Sequence, residues 1–149
     1  WLMNYFVARN AAVVFQIPEP IAVKATGTMP YQNVDVPTGF TEDKWIQKIE
    51  VVPGDRRVVH HVLVFIQKPG AGGLFGSFEE LRGFFGAYAP GNGVLAYPDG
   101  LAKRIPKGAR LRFQIHYTPN GVATTDQSKI GLVFSKVPVT QEVHTTSLA

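Results

Sequence analysis

Three of the four histidines lie in two strand-like runs, and they are the residues best suited to chemistry. His60 and His61 are adjacent in residues 58–65 (VVHHVLVF), and His116 lies in residues 113–117 (FQIHY). Neutral imidazole binds copper, zinc, iron and nickel, so these side chains form a metal site if the fold brings the two runs together. The alternative is three partly buried histidines satisfied by hydrogen bonds.

Strand geometry restricts the first interpretation. Successive side chains on a regular strand point to opposite faces, so His60 and His61 cannot both reach one ion on a flat ladder. Either one of them is a ligand and the other a core residue, or the backbone bends near a bulge or strand end. The alternation in residues 109–117 places His116 on the polar face, where it is available as a ligand.

The sequence gives little support for cysteine chemistry, a serine nucleophile, phosphate binding or nucleic-acid binding. The absence of cysteine excludes disulfides, thiolate metal sites and cysteine nucleophiles. No serine lies in a nucleophile elbow, and the glycine pairs of the middle segment lack the Lys-Ser/Thr of a phosphate loop. The net charge is +4, but its 15 Lys and Arg are scattered, so we expect no nucleic-acid partner. His144, near the C-terminus, is expected to be a surface residue.

Composition favours turns and strands over long helices, because the 149 residues include 15 Gly and 11 Pro. We predict an all-β fold that forms a single domain over residues 1–149, in which residues 1–14 can be an irregular N-terminal segment. The apolar run 1–17 is interrupted by polar residues, so no membrane span is expected. Because the sequence begins at Trp1, we expect a processed or partial product from which a targeting segment can be missing.

Residues 57–67 are predicted to be the strongest strand. Residues 44–52 fit a helix or a strand by their spacing. We take them as the antiparallel neighbour of 57–67, joined by a turn at 53–55. The segment 69–97 is expected to be a long loop with a short helical turn near 77–82, whose Phe84, Phe85 and Tyr88 pack back onto the sandwich. Further strands are expected at 11–17, 21–23, 31–36, 109–117, 129–137 and 141–146.

Four motifs resemble a known family: VVHHVLVF at 58–65, AYPDGL at 96–101, LRFQIHY at 111–117 and SKIGL at 128–132. They are similar to the N-terminal half of the copper type II, ascorbate-dependent monooxygenases, such as peptidylglycine α-hydroxylating and dopamine β-monooxygenase. The bacterial members are the most similar, and the resemblance covers residues 15 to 149.

This resemblance implies the N-terminal copper domain of a two-domain, dioxygen-using hydroxylase. Each domain would be an antiparallel β-sandwich with one copper, and the first copper, the electron-transfer centre, would be bound by His60, His61 and His116. Gln114 matches a position where members carry Gln or Glu, and would orient a ligand. The implied partners are an external electron donor and a second copper domain, on this or another chain. The implied location is periplasmic or extracellular.

The family's catalytic copper is held by a His-x-His pair and a methionine. This chain has no His-x-His, and Met3 and Met29 lie upstream of the histidine motif. We therefore expect a single antiparallel, jelly-roll-like β-sandwich that is only the electron-transfer half, with no catalytic residue of its own. One alternative is a non-enzymatic binding or assembly module with structural histidines and a contact surface at 74–97. Another is a zinc hydrolase, for which no general base is evident.

Overall fold

The computed structural model describes residues 12–70 and 83–145, and their regular structure consists of strands. This confirms the predicted all-β class. No helix in these two ranges is long and apolar enough to cross a membrane. The strands are β1 (Val13–Gln16), β2 (Ile21–Val23), β3 (Gln32–Pro37), β4 (Lys44–Val52), β5 (Val59–Gln67), β6 (Phe84–Tyr88), β7 (Val94–Ala96), β8 (Leu101–Ile105), β9 (Arg110–Tyr117), β10 (Thr124–Asp126), β11 (Lys129–Phe134) and β12 (Gln141–Glu142).

The strands form two main sheets. The six-stranded sheet has the order β1-β11-β4-β8-β12, with β7 also paired to β4. The four-stranded sheet has the order β3-β9-β5-β6, and all its pairs are antiparallel. β2 and β10 form a separate antiparallel pair, whereas β12 runs parallel to β8. The His-His run is β5 and the His116 run is β9, so these two strands are direct neighbours.

The core lies between the two main sheets. Ile46 and Ile49 from the six-stranded sheet and Val64 and Phe113 from the four-stranded sheet belong to one buried cluster, and each is at most 1% exposed. The sheets approach closely at Gly86, where a Cβ would lie 2.9 Å from Cγ2 of Ile49. The structure is therefore a sandwich-like single domain, consistent with the predicted all-β fold.

A bulge in β4 interrupts the alternation of residues 44–52. Val133 of β11 pairs with Lys48, but its neighbour Phe134 pairs with Ile46, so Gln47 is an extra residue. Because the bulge shifts the alternation by one, Ile46 and Ile49 both face the core although they are three positions apart. The element is a strand with the predicted bounds.

The predicted pairing of residues 44–52 with 57–67 is wrong. β4 pairs with β11, β8 and β7, and β5 pairs with β9 and β6. Residues 53–58 carry the chain from one sheet to the other. The backbone N–H groups of Val58 and Val59 both donate to the carbonyl of Asp55, which closes this crossing as a compact loop.

The long loop predicted for 69–97 is wrong over its second part, where β6 and β7 are strands. Phe85 and Tyr88 are buried, as expected, but as strand residues of the four-stranded sheet. The helical turn expected near 77–82 lies outside the described residues, as do residues 1–11. Strands β8 and β10 were not predicted from the sequence. β1 forms an edge of its sheet, as expected.

Candidate metal centre

A β-bulge at His60 brings the paired histidines onto one face. Val59 pairs with Tyr117 and His61 with His116, so β5 advances two residues while β9 advances one. His60 is the extra residue. Val59 and Val62 both remain in the core, and His60 and His61 both point away from it. The backbone therefore has the departure from a flat ladder that a shared metal ion requires.

The three histidines form one cluster on the outer face of the four-stranded sheet. Each offers a ring nitrogen, and these nitrogens lie within 4.8 Å of one another. The ring of His116 has its centroid 5.1 Å from those of both His60 and His61. His60 is exposed and the other two rings are partly buried, so an ion could enter from solvent.

The closest nitrogens are the Nδ1 atoms of His60 and His61, 3.1 Å apart. Two imidazole nitrogens bound to one ion at about 2.0–2.1 Å each would lie roughly 3 Å apart at angles near 100°. The observed separation matches that value. A shared hydrogen bond between the two rings would give the same distance, since one Nδ1 can donate to the other.

Two electrostatic features suit these rings to a cation. Burial lowers the pKa of His61 below its usual value, and the charges of His116 and His60 lower this pKa further. A neutral imidazole keeps the lone pair that a metal binds. In addition, Nδ1 of His116 is buried and has no hydrogen-bond partner among the described residues. Because an unsatisfied buried polar atom is costly, this donor set fits a bound metal ion.

Tyr31 is a component of the site that the sequence did not reveal. Its ring lies 4.9 Å from that of His116 and 5.8 Å from that of His61, centroid to centroid, and the residue is 53% exposed. It directly precedes β3, whose Gln32 pairs with Ile115. A strand was predicted at residues 31–36, but its pairing with β9 could not be derived from local pattern.

A buried hydrogen-bond network supports β9 next to the clustered histidines. Asp126 is 1% exposed and accepts hydrogen bonds from the Tyr117 hydroxyl (2.9 Å), the Ser128 hydroxyl (2.8 Å) and the Asp55 backbone N–H (2.8 Å). Burial and the Asp126 carboxylate raise the pKa of Tyr117 well above its usual value. Since Tyr117 follows His116 and pairs with Val59, this network fixes the backbone on both sides of the bulge.

The remaining predicted residues are not members of the histidine cluster. Gln114 is partly buried on the same outer face, in register with Leu63 and Asn33. Within the described residues its side chain makes no hydrogen bond to the three histidines, and its orienting role stays a prediction. His144 is 4.0 Å from Glu142 with a side chain 76% exposed, as expected for a surface residue.

No protein-family model matches the chain, and no curated protein matches it significantly. The chemistry of the site therefore rests on its geometry. Three imidazoles without thiolate or carboxylate can hold copper, zinc, iron or nickel. No other group of three or more His, Cys, Asp or Glu in the described ranges is close enough to hold an ion.

Proposed function

We propose that His60, His61 and His116 bind one copper ion and that the domain is the electron-transfer half of a copper-dependent, dioxygen-using monooxygenase. The observation that carries the proposal is the bulge at His60, because it turns two successive histidines toward a third on the neighbouring strand. A regular strand would have separated them. Such an interruption of pairing is common beside functional sites.

Copper is proposed over zinc for two reasons. First, three neutral nitrogen ligands suit both oxidation states of copper, so one electron could be gained and lost without exchange of ligands. Second, a hydrolytic zinc site needs a general base close to the open coordination position. Within the described residues the neighbour on the rim is the phenol ring of Tyr31, and no carboxylate lies in the histidine cluster.

In this function the chain itself holds and orients the ion. His61 and His116 supply partly buried nitrogens, His60 supplies an exposed one, and Tyr31 packs over two of the three rings. The copper would accept an electron from an external donor and pass it on. The carbon-hydroxylating copper would belong to a second domain or another chain, in a periplasmic or extracellular setting.

The test is titration of the metal-free protein with Cu(II), followed by electron paramagnetic resonance and by the melting temperature. We expect one equivalent to give a type II signal and to raise the melting temperature, since a ligand of the native state stabilises it. His116→Ala should remove or alter the signal. His144→Ala is the matched control, because it deletes an exposed histidine outside the cluster.

Three results would count against copper. A signal unchanged in His116→Ala would place the ion elsewhere. A melting temperature equal with and without copper would favour the non-enzymatic module. Tighter binding of zinc, with no reversible reduction of the copper form by a one-electron donor, would remove the electron-transfer role.

A further inference from the structure

A second site candidate lies at one end of the six-stranded sheet. It is an open cavity of about 640 Å³, which is within the range of small-molecule sites. We call it the end pocket, and it contains none of the three clustered histidines. Its lining residues are Gln16, Pro20, Val52, Pro53, Gly54, Arg56, Thr125, Gln127 and Lys129.

Three neighbouring strands each contribute one residue to a row of side chains that lines the end pocket. Lys129 begins β11 and pairs with Gln16 of β1 on one side and Val52 of β4 on the other. Directly paired residues share a face of the sheet. The next residue, Ile130, and its partner Val51 are buried in the core, so the row of Lys129 lies on the opposite, outer face.

The opposite wall is held in place by tight backbone packing. A Cβ at Gly54 would lie only 2.5 Å from the backbone nitrogen of Gln127, so the turn at Pro53 and Gly54 rests directly on that residue. The Gln127 amide donates to the carbonyls of Ile17 (3.0 Å) and Pro18 (3.3 Å). The pocket is thus bounded by fixed main chain, which favours a preformed binding site.

The charged residues that line the end pocket are all positive. Arg56 and Lys129 are its only charged lining residues, and neither forms an ion pair with a described residue. The Arg56 guanidinium lies 5.9 Å from the ring centroid of Tyr88, a contact that leaves its charge without a counter-ion. Three carboxylates are next to lining residues in the chain. Glu19 is exposed and does not line the cavity, and Asp55 and Asp126 are engaged elsewhere. Asp55 is held by Arg57 at 2.7 Å, and the buried Asp126 accepts the hydrogen bonds described above. Two cations without a counter-ion beside one cavity attract an anion.

We propose that the end pocket binds a small organic anion through a carboxylate or phosphate group. Arg56 would supply a planar fork that can pair with two oxygens, and Lys129 a point charge on the other side. Gln16 and Thr125 would offer neutral polar contacts to the remainder of the molecule. The proposal is independent of the metal centre.

The test is calorimetric titration of the metal-free protein with inorganic phosphate and, separately, with succinate at constant ionic strength. We expect saturable binding of at least one of the two at a single site. Arg56→Gln and Lys129→Gln should each weaken that binding about tenfold, the effect of losing one charge-assisted hydrogen bond. Both side chains are at least partly exposed, so the variants should fold, and either one alone is sufficient for the test.

Lys136→Gln is the control, because Lys136 is exposed beyond the far end of β11 and changes the net charge equally. It should leave the affinity unchanged. Absence of binding by both probes would overturn the proposal, and so would equal weakening by the control. Binding unaffected by Arg56→Gln and Lys129→Gln would place the anion elsewhere, for example at protonated histidines, and would also overturn it. Preference for phosphate or for succinate identifies which class of anion the pocket takes.

Discussion

The ring of Tyr31 packs against that of His116, with centroids 4.9 Å apart and planes inclined by 37°. This contact joins the residue before an edge strand of the four-stranded sheet to the histidine-bearing face of its neighbour β9. It covers one side of the histidine cluster with an aromatic ring and leaves the exposed His60 side open.

Replacement of Tyr31 by alanine should weaken metal binding, because His116 and His61 lose the ring that restricts their orientation. Aromatic pairs contribute about 0.5–1.5 kcal/mol beyond area burial, which corresponds to roughly a two- to tenfold loss of affinity. Tyr31→Phe keeps the ring and should retain the affinity. Competition titration against a chromophoric chelator measures both, and equal losses in the two variants would assign the effect to the hydroxyl instead.

His60→Ala should separate metal binding from folding. His60 is exposed and is the extra residue of the bulge, so the free energy of unfolding without metal should change by at most about 0.5 kcal/mol. Metal affinity should fall by at least about a hundredfold, since even groups that only orient ligands contribute about ten- to a hundredfold. Urea unfolding and chelator competition measure the two quantities. A large loss of metal-free stability would show that His60 is structural.

Asp126→Asn should destabilise the fold. The buried carboxylate accepts three hydrogen bonds at its two oxygens, whereas the asparagine amide has only one oxygen and cannot accept all three. Bonds to charged groups contribute about 1.5–3 kcal/mol each, and we expect a loss of roughly 2–4 kcal/mol in urea unfolding. The comparison variant is Asp99→Asn, at an exposed carboxylate that accepts from Gln47. It should cost much less, and equal costs would contradict the role of the network.

Lys103 should give the stability a specific pH dependence. It is 4% exposed and donates to the carbonyl of Phe84 (2.9 Å) and the hydroxyl of Thr145 (2.6 Å), and burial lowers its pKa from 10.5 to about 8. Above about pH 8 the folded protein loses this proton, whereas the unfolded chain keeps it up to about pH 10.5. Since the unfolded state then binds more protons, the contribution of Lys103 to stability rises with pH in this window.

The measurement is urea unfolding of the wild type and of Lys103→Met between about pH 7 and pH 11. The difference between the two proteins should change across the window in favour of the wild type. Lys136→Met, at an exposed position, should follow the wild-type curve in parallel. A constant difference between the wild type and Lys103→Met would mean that Lys103 titrates at its ordinary pKa.

The fold class and the polar face of β9 could be predicted from local pattern. Val59 to Gln67 is rich in β-branched and apolar residues, and the alternation in β9 placed His116 opposite the core residues Phe113 and Ile115. Such alternation records burial directly, because one face of a strand meets the core and the other meets solvent. The exposure of His144 followed from its terminal position in the same way.

Strand partners could not be predicted, because pairing depends on contacts between residues distant in sequence. The turn at 53–55 indicated a hairpin, but in the structure it connects the two sheets. The strand β6 was not predicted because it lies in a glycine-rich segment that resembles a loop. The exact positions of the bulges could not be predicted either. Gln47 in β4 and His60 in β5 each shift the alternation by one, and nothing in either run marks which residue is extra.

The sequence by itself determined which side chains could bind a metal, and it posed the requirement that the backbone near His60 depart from a regular ladder. Only the tertiary structure decided that the departure occurs there, that β5 and β9 are neighbours, and that Tyr31 covers the cluster. The physical reason is that ligand type is a property of single residues. Convergence of three imidazoles depends instead on register between strands, which the packing of the whole sandwich fixes.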